Sequence, residues 1–265
     1  MPRPGKLGKL PPLPEADAPR LKLARYLAPA PPPSAVDWYS KVAAWPMYLN
    51  DQIGDCTCAE VGHQIESAST YGESTTVELT DADVLALYEA VSGYRPSDPA
   101  TDRGAVIQRV LGYWRRTGVA GHRLLAFAQV DHTNLPEVEQ AVGLFGSLDL
   151  GMQVPAVAMT QTQAGQPWDV TGNDGAIEGG HCIELVGYDP TYAYVVTWGA
   201  IQKMTWAFWT KYVDESWAAI LPEWLNAQGT DPQGLDLAAL GADLTALTGA
   251  PDPFRHRRSR NREVS

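Results

Sequence analysis

Residues 50–57 read Asn50-Asp51-Gln52-Ile53-Gly54-Asp55-Cys56-Thr57, and residues 179–188 read Gly179-Gly180-His181-Cys182-Ile183-Glu184-Leu185-Val186-Gly187-Tyr188. In the first stretch, a thiol follows a glycine-containing turn and precedes a run that is compatible with a helix. Free N–H groups and the helix dipole at such a position favour the thiolate form of a cysteine. The second stretch predicts an apolar strand that carries a histidine, which can serve as the base for a thiol. We therefore predict a nucleophile, Cys56, and a base, His181.

Further residues match the motifs of one enzyme family. They are Val36-Asp37-Trp38, Lys41 and Pro46 at a fixed spacing before Cys56, Val186-Gly187-Tyr188 after His181, and Trp198-Gly199. The segment from about Val36 to Tyr212 thus resembles the papain-like cysteine peptidases. A less specific resemblance is to an uncharacterised papain-fold branch found in actinobacteria and their phages. The papain resemblance implies that Cys56 is the nucleophile, that His181 is the base, and that Asn50 stands where the family has its oxyanion-hole glutamine.

The same resemblance implies an α+β, papain-like two-lobe fold with a cleft between the lobes. Residues 35–118 would form a helical lobe and residues 119–225 an antiparallel, β-barrel-like lobe. Before them, residues 1–34 form a basic, proline-rich arm that blocks helix formation and favours extended chain. We expect this arm to add little to the hydrophobic core. After them, residues 226–265 contain an amphipathic helix, with leucines at 237, 240, 244 and 247, and an arginine-rich tail.

Two departures from the family pattern predict an impaired catalytic triad. Aligning on Trp198-Gly199 puts Val196 at the asparagine that orients the histidine, and a valine cannot accept the imidazole N–H. Asn50 is one methylene shorter than glutamine, which puts its reach to an oxyanion in doubt. The residues that could replace the orienting group, and that the sequence leaves open, are Asp174, Glu178, Asp189 and, as a donor, Tyr194.

Hydrophobic periodicity and capping residues predict the elements of both lobes. Helices are predicted at 57–71, after the N-cap Thr80, at 105–117, and after the N-cap Asn134. Short β-branched or aromatic runs predict strands at 124–130, 148–154, 181–188, 192–198 and 204–208.

Composition limits the class of protein. With 265 residues, of which 45% are hydrophobic, the chain can bury a full core. No apolar stretch is long enough to span a membrane, and no apolar segment follows the basic N-terminal residues, so we predict no signal peptide. Three cysteines make no disulfide framework, which favours the host cytoplasm or a virion. Cys56, Cys58 and His63 lack the spacing of a structural zinc site, so we predict no metal and no cofactor.

Charge is distributed unevenly along the chain. The net charge is −11, yet residues 1–34 carry six Lys or Arg against two acidic residues, and residues 251–265 carry five Arg against two. Basic tails on an acidic body can bind protein partners, so we predict contacts through Arg3–Arg25 and Arg255–Arg262 in a multi-subunit assembly. Nucleic acid is the less favoured partner.

These observations favour a papain-like domain with an impaired triad that serves as a structural or binding component of a larger assembly, for which a phage particle is a candidate. The alternative is an active cysteine peptidase or amidase that uses Cys56 and His181.

Overall fold

The computed structural model describes residues 3–15, 20–227 and 235–255. The helices are α1 (Cys56–Glu73), α2 (Asp81–Ser92), α3 (Ile107–Arg116), α4 (Leu135–Phe145), α5 (Ala156–Gln163), α6 (Trp206–Tyr212), α7 (Pro222–Ala227) and α8 (Leu237–Thr248). The strands are β1 (Val36–Asp37), β2 (Ala126–Val130), β3 (Leu148–Pro155), β4 (Ile177–Tyr188), β5 (Tyr192–Thr197), β6 (Ala200–Thr205) and β7 (Val213–Ile220). In this part of the chain no helix has both the length and the apolar character that a membrane crossing requires.

The strands form one antiparallel sheet in the order β2-β7-β3-β4-β5-β6, with the short β1 paired to β4. One apolar core unites α1, α2 and α3 with a few residues of the sheet, such as Cys182 and Trp217. A second core unites the barrel-like sheet with α4 and α8. The α+β architecture predicted from the sequence is confirmed.

Helix α1 is the central helix of the molecule. Every residue from Cys56 to Ser69 is buried, because α1 packs against β4 and α7 as well as α2 and α3. The helix ends at Ser74, whose backbone takes the left-handed conformation with φ of 56°. The predicted capping at Thr80 is present as a full capping box with Asp83.

The prediction for the end of the β lobe was wrong in two respects. We expected a strand at 204–208, but the chain turns into α6 after Thr205, whose side chain accepts a hydrogen bond from the amide of Phe208 and so caps the helix. Strand β7 was not predicted, because Asp214 and Glu215 interrupt its apolar pattern. The prediction also missed α5.

The N-terminal arm contributes to the core, contrary to expectation. Leu23 is fully buried and Tyr26 is 2% exposed, and both belong to the core of the β lobe. The Tyr26 hydroxyl donates a hydrogen bond to Asp243 of α8 (2.8 Å). Three leucines of α8, Leu237, Leu240 and Leu244, are buried in the same core, so most of the apolar face of α8 is covered within the chain. Residues 256–262 of the predicted arginine-rich contact surface lie outside the described residues.

Candidate active site

Cys56 is the first residue of α1, as the glycine-containing turn predicts. Its side chain is 2% exposed, and burial raises the pKa of the thiol to about 12. The backbone N–H groups of Cys182 and Gly8 point to the sulfur and lower this pKa, but they do not offset the burial. The expected thiolate at the helix N-terminus is therefore absent, because loss of hydration outweighs the helix dipole.

His181 lies on β4 and is 1% exposed. Its Nε2 is 2.8 Å from the Thr197 hydroxyl, and its ring stacks on Trp198 with 4.6 Å between the ring centroids. Its Nδ1 has no hydrogen-bond partner in the described part of the chain. Burial lowers the pKa of the imidazole to about 3. The ring is thus neutral at physiological pH, and no thiolate–imidazolium pair forms with Cys56.

Cys56 and His181 nevertheless lie near each other, because both line one cavity of about 10 Å³. Asn50, Val196 and Thr197 line the same cavity. The structure therefore brings together the residues that the sequence singled out, although the cavity that they line is too small for a substrate.

Thr197 is the residue that sequence reasoning missed. Val196, which the sequence aligns with the family's asparagine, is fully buried in an apolar cluster with Val42, Trp45 and Val186. The neighbouring Thr197 instead brings a hydroxyl to His181. A polar residue directly after the apolar Val196 was the signal that could have identified it.

The four alternatives considered for orienting His181 make other contacts or lie at the surface. Asp174 accepts hydrogen bonds from Lys211 (2.7 Å) and Tyr212 (2.6 Å). Asp189 accepts one from the Tyr194 hydroxyl (2.6 Å). Glu178 is exposed.

Asn50 is buried in a strained turn. The two residues before it, Tyr48 and Leu49, have positive φ values of 51° and 69°, which cost non-glycine residues of the order of 1 kcal/mol or more each. The Asn50 carboxamide donates to Asp55 Oδ1 (3.2 Å) and to the Ile53 carbonyl (3.3 Å). Its N–H groups are thus engaged within the turn, at the N-cap of α1.

The N-terminal arm lies in the cleft between the lobes. Lys6 N donates to the Asn50 carbonyl (2.6 Å) and Lys9 N donates to the Gly180 carbonyl (3.0 Å), so the arm bonds to both lobes. The Ala105 amide donates a hydrogen bond to the Gly8 carbonyl (2.9 Å), and the Ala105 carbonyl accepts one from the Leu10 amide (2.9 Å). Residues 6–10 therefore occupy the cleft as an extended peptide.

Gly8 is in closest contact with the cleft wall. A Cβ added at Gly8 would overlap the carbonyl oxygen of Gly54, two residues before Cys56. Conversely, a Cβ added at Gly104 would overlap the carbonyl oxygen of Gly8. The fit between arm and cleft thus depends on the absence of side chains on both sides.

Lys9 anchors the arm with a buried ion pair. Its Nζ lies 2.5 Å from Asp214 Oδ1 and 3.1 Å from Glu215 Oε1, and the Lys9 side chain is fully buried. Burial lowers the pKa of Lys9, but the charges of Glu215 and Asp214 more than compensate and raise it overall. Lys9 is therefore a cation, and it explains why two acidic residues are tolerated in β7.

Buried carboxyl groups lie behind Cys56, between α1 and the sheet. Burial raises the pKa of Glu66 and Glu184 to about 8 and that of Asp149 to about 7. Glu184 accepts a hydrogen bond from Ser67 (2.6 Å), and Asp149 accepts one from the Cys182 thiol (2.9 Å). Much of this cluster is therefore protonated near neutral pH.

Solved structures with the same fold are cysteine proteases. Xylellain, a cysteine protease from Xylella fastidiosa, has 15% sequence identity and a TM-score of 0.60, with 83% of this chain and 97% of that chain covered. Procathepsin B S9 from Trypanosoma congolense has 12% identity and a TM-score of 0.57, with 81% and 86% covered. Bromelain protease from Ananas comosus in complex with the E64 inhibitor has 14% identity and a TM-score of 0.53, with 71% and 99% covered.

No protein-family model and no curated protein sequence matches this chain. At 12–15% identity, the structural similarity concerns the fold rather than the activity. The helix that carries Cys56, the strand that carries His181 and the structural relatives agree: this chain has the α+β fold of the papain-like cysteine proteases.

Proposed function

We propose that this protein is a non-catalytic member of the papain-like fold, whose cleft binds its own N-terminal arm, and that it serves as a structural or binding component of a larger assembly. The observation that carries the proposal is the arm itself. Residues 6–10 fill the cleft at Cys56 with backbone hydrogen bonds to Asn50, Ala105 and Gly180. A peptide substrate would need the same space.

The chemistry of the site supports the same proposal. A thiol with a pKa of about 12 and an imidazole with a pKa of about 3 are both neutral at pH 7. Papain-type catalysis needs the thiolate, which an adjacent base must produce. With the carboxamide of Asn50 engaged by Asp55, the proposed oxyanion donor is also turned away from its task.

The assembly role follows from charge. Arg3 and Lys6 are exposed on the arm of a chain whose net charge is −11. Such cations can pair with the acidic surface of another subunit, and we propose a phage virion as the setting. Sedimentation at low and high salt tests this role: salt-sensitive oligomers of the full chain that disappear in an Arg3→Gln/Lys6→Gln variant support it, and a monomer under every condition contradicts it.

The second candidate is a cysteine peptidase or amidase that the arm keeps inactive. It is favoured by the common cavity of Cys56 and His181 and by the hydroxyl of Thr197, which holds the imidazole. In this case Cys56 would attack an acyl carbon once the arm had left the cleft, and His181 would transfer the proton.

A Gly8→Val substitution separates the two candidates, because its side chain cannot coexist with the Gly54 carbonyl and must displace the arm. Lys6→Ala, at an exposed position of the same arm, is the matched control. We expect iodoacetamide to label Cys56 faster in Gly8→Val than in the control, without hydrolysis of fluorogenic peptides or reaction with E-64. Peptide hydrolysis that appears with Gly8→Val and is lost with Cys56→Ser would support the peptidase instead.

A further inference from the structure

A second cavity, of about 410 Å³, lies between α2, α3, α8 and the arm segment at Leu13 and Arg20. None of its described lining residues lines the cavity of Cys56 and His181. Pockets for small ligands commonly measure about 300–1,000 Å³, so its size is sufficient for a small molecule.

The floor of this cavity is apolar and the mouth is open. Trp217, Leu244 and Leu21 form the floor and are 1%, 4% and 7% exposed. Leu247, at the mouth, is 44% exposed and is among the few large apolar side chains of the described residues that face solvent. A ligand with an apolar body would therefore cover surface that the chain leaves open.

The other side of the cavity is cationic. Arg109, Arg115 and Arg116 of α3 line it, and none of the three forms an ion pair with another described residue. No carboxylate is found among the described lining residues. Burial and the neighbouring charge of Arg116 lower the pKa of Arg115.

Arg20 adds a fourth guanidinium group. It donates a hydrogen bond to the Leu13 carbonyl and lies over the Trp217 ring, with 5.6 Å from Cζ to the centroid. Its Nε is buried and has no hydrogen-bond partner among the described residues. A buried N–H without a partner is costly, and a ligand acceptor would satisfy it.

We propose that this cavity binds a small amphipathic anion: an acyl or aryl body with one carboxylate or phosphate group. The apolar body lies on Trp217 and Leu244, and the anionic group meets Arg115 and Arg116. In a chain of net charge −11, four arginines around one pocket, with no carboxylate among its described lining residues, select for an anion, since guanidinium groups bind carboxylate and phosphate with paired hydrogen bonds. The enclosed apolar floor favours a small molecule over an acidic peptide.

Calorimetric titration of the full chain tests this proposal with octanoate, octyl phosphate and the neutral octanol. We expect saturable binding of either anion at one site, with octanol and inorganic phosphate each at least about tenfold weaker. The Arg115→Gln/Arg116→Gln variant should bind the anions at least about tenfold more weakly. Arg123→Gln, which removes an exposed arginine that does not line the cavity, should leave binding unchanged.

A second variant separates ligand binding from a surface charge effect. A leucine at Gly112, on the α3 wall of the cavity, would narrow it and keep every arginine, because the three nearest atoms to an added Cβ belong to the flexible end of Arg116. We expect Gly112→Leu to weaken binding of both anions while circular dichroism shows an unchanged fold. The proposal is overturned if neither anion binds, if octanol binds as well as octanoate, or if only acidic peptides bind. It is also overturned if Arg115→Gln/Arg116→Gln and Gly112→Leu both bind the anions like the unmodified chain.

Discussion

Replacing Lys9 with methionine is the most direct test of how firmly the arm is held in the cleft. Lys9 Nζ contacts Asp214 (2.5 Å) and Glu215 (3.1 Å), and the three side chains are 0%, 30% and 1% exposed. Methionine has a similar straight-chain volume, so the substitution leaves little cavity. What it removes is the cation that faces Glu215.

The expected loss follows from these exposures. Removing one partner of a buried ion pair costs about 3–5 kcal/mol, since the remaining charge stays out of water. Asp214 is partly exposed and can be hydrated instead, so the penalty falls mainly on Glu215. Domains of this kind are stable by about 5–15 kcal/mol, and the variant should therefore lose a large part of its free energy of unfolding. Lys6→Met, an exposed position three residues earlier, should change it by about 0.5 kcal/mol or less.

Urea denaturation measures the free energies of unfolding of Lys9→Met and Lys6→Met. A double variant isolates the ion pair between Lys9 and Glu215. Glu215→Gln keeps an acceptor for the Trp217 indole N–H but carries no charge. Lys9→Met/Glu215→Gln should therefore lose less stability than the sum of the losses of the two single variants, by an interaction energy of about 0.5–3 kcal/mol. If Lys9→Met loses no more stability than Lys6→Met, the anchoring role of Lys9 is refuted.

Two further predictions concern buried groups near the site. Burial raises the pKa of Glu184 from 4.5 to about 8, so the folded state holds a proton that the unfolded state releases, and this stabilisation is lost as pH rises through that range. Burial lowers the pKa of His181, so this residue makes stability rise with pH instead, and it does so only at pH values below the usual imidazole pKa of 6.5. Between about pH 6.5 and 8, urea denaturation should show that the free energy of unfolding falls as pH rises. Glu184→Gln should reduce this slope by up to about 1.4 kcal/mol per pH unit, and the exposed control Glu89→Gln should leave it unchanged. Equal slopes in the unmodified chain and both variants would contradict this account. Thr197→Val should cost about 1–3 kcal/mol, because His181 Nε2 loses its partner, whereas Thr197→Ser should cost clearly less; equal costs would argue that the hydroxyl is irrelevant.

The sequence singles out Cys56 and His181 as candidates because the signals around them are local. The turn at Gly54 fixes where α1 begins, and the apolar run around His181 fixes a strand, so both candidate residues were identified without knowledge of long-range contacts. The boundary between a strand and a helix could not be predicted where one polar residue is compatible with both elements. Thr205 ends β6 and caps α6, and the aromatic residues that follow it fit a strand as well as a helix.

The occupied cleft could not be predicted, since it depends on contacts between residues far apart in sequence. Lys9 and Asp214 are separated by 205 positions, and each looks like a solvated surface charge when considered alone. Together they explain both an arm that is buried and a strand, β7, that contains charges. The orientation of the Asn50 carboxamide was likewise hidden, because it is set by Asp55 and by the left-handed turn before it.

The docked arm changes what access to Cys56 requires. The backbone groups of Asn50, Ala105 and Gly180 in the cleft are already paired with residues 6–10 of the chain itself. A tethered segment competes at an effective concentration in the millimolar range, so a free peptide of equal affinity would be excluded at lower concentrations. Exposure of the thiol is therefore governed by the free energy of releasing the arm, to which the buried ion pair of Lys9 contributes. A partner that captured the arm would open the cleft, and the same event would expose Glu215 to water. Release of the arm should thus become easier when Lys9 or Glu215 is neutralised singly. The effect should be smaller when both residues are replaced.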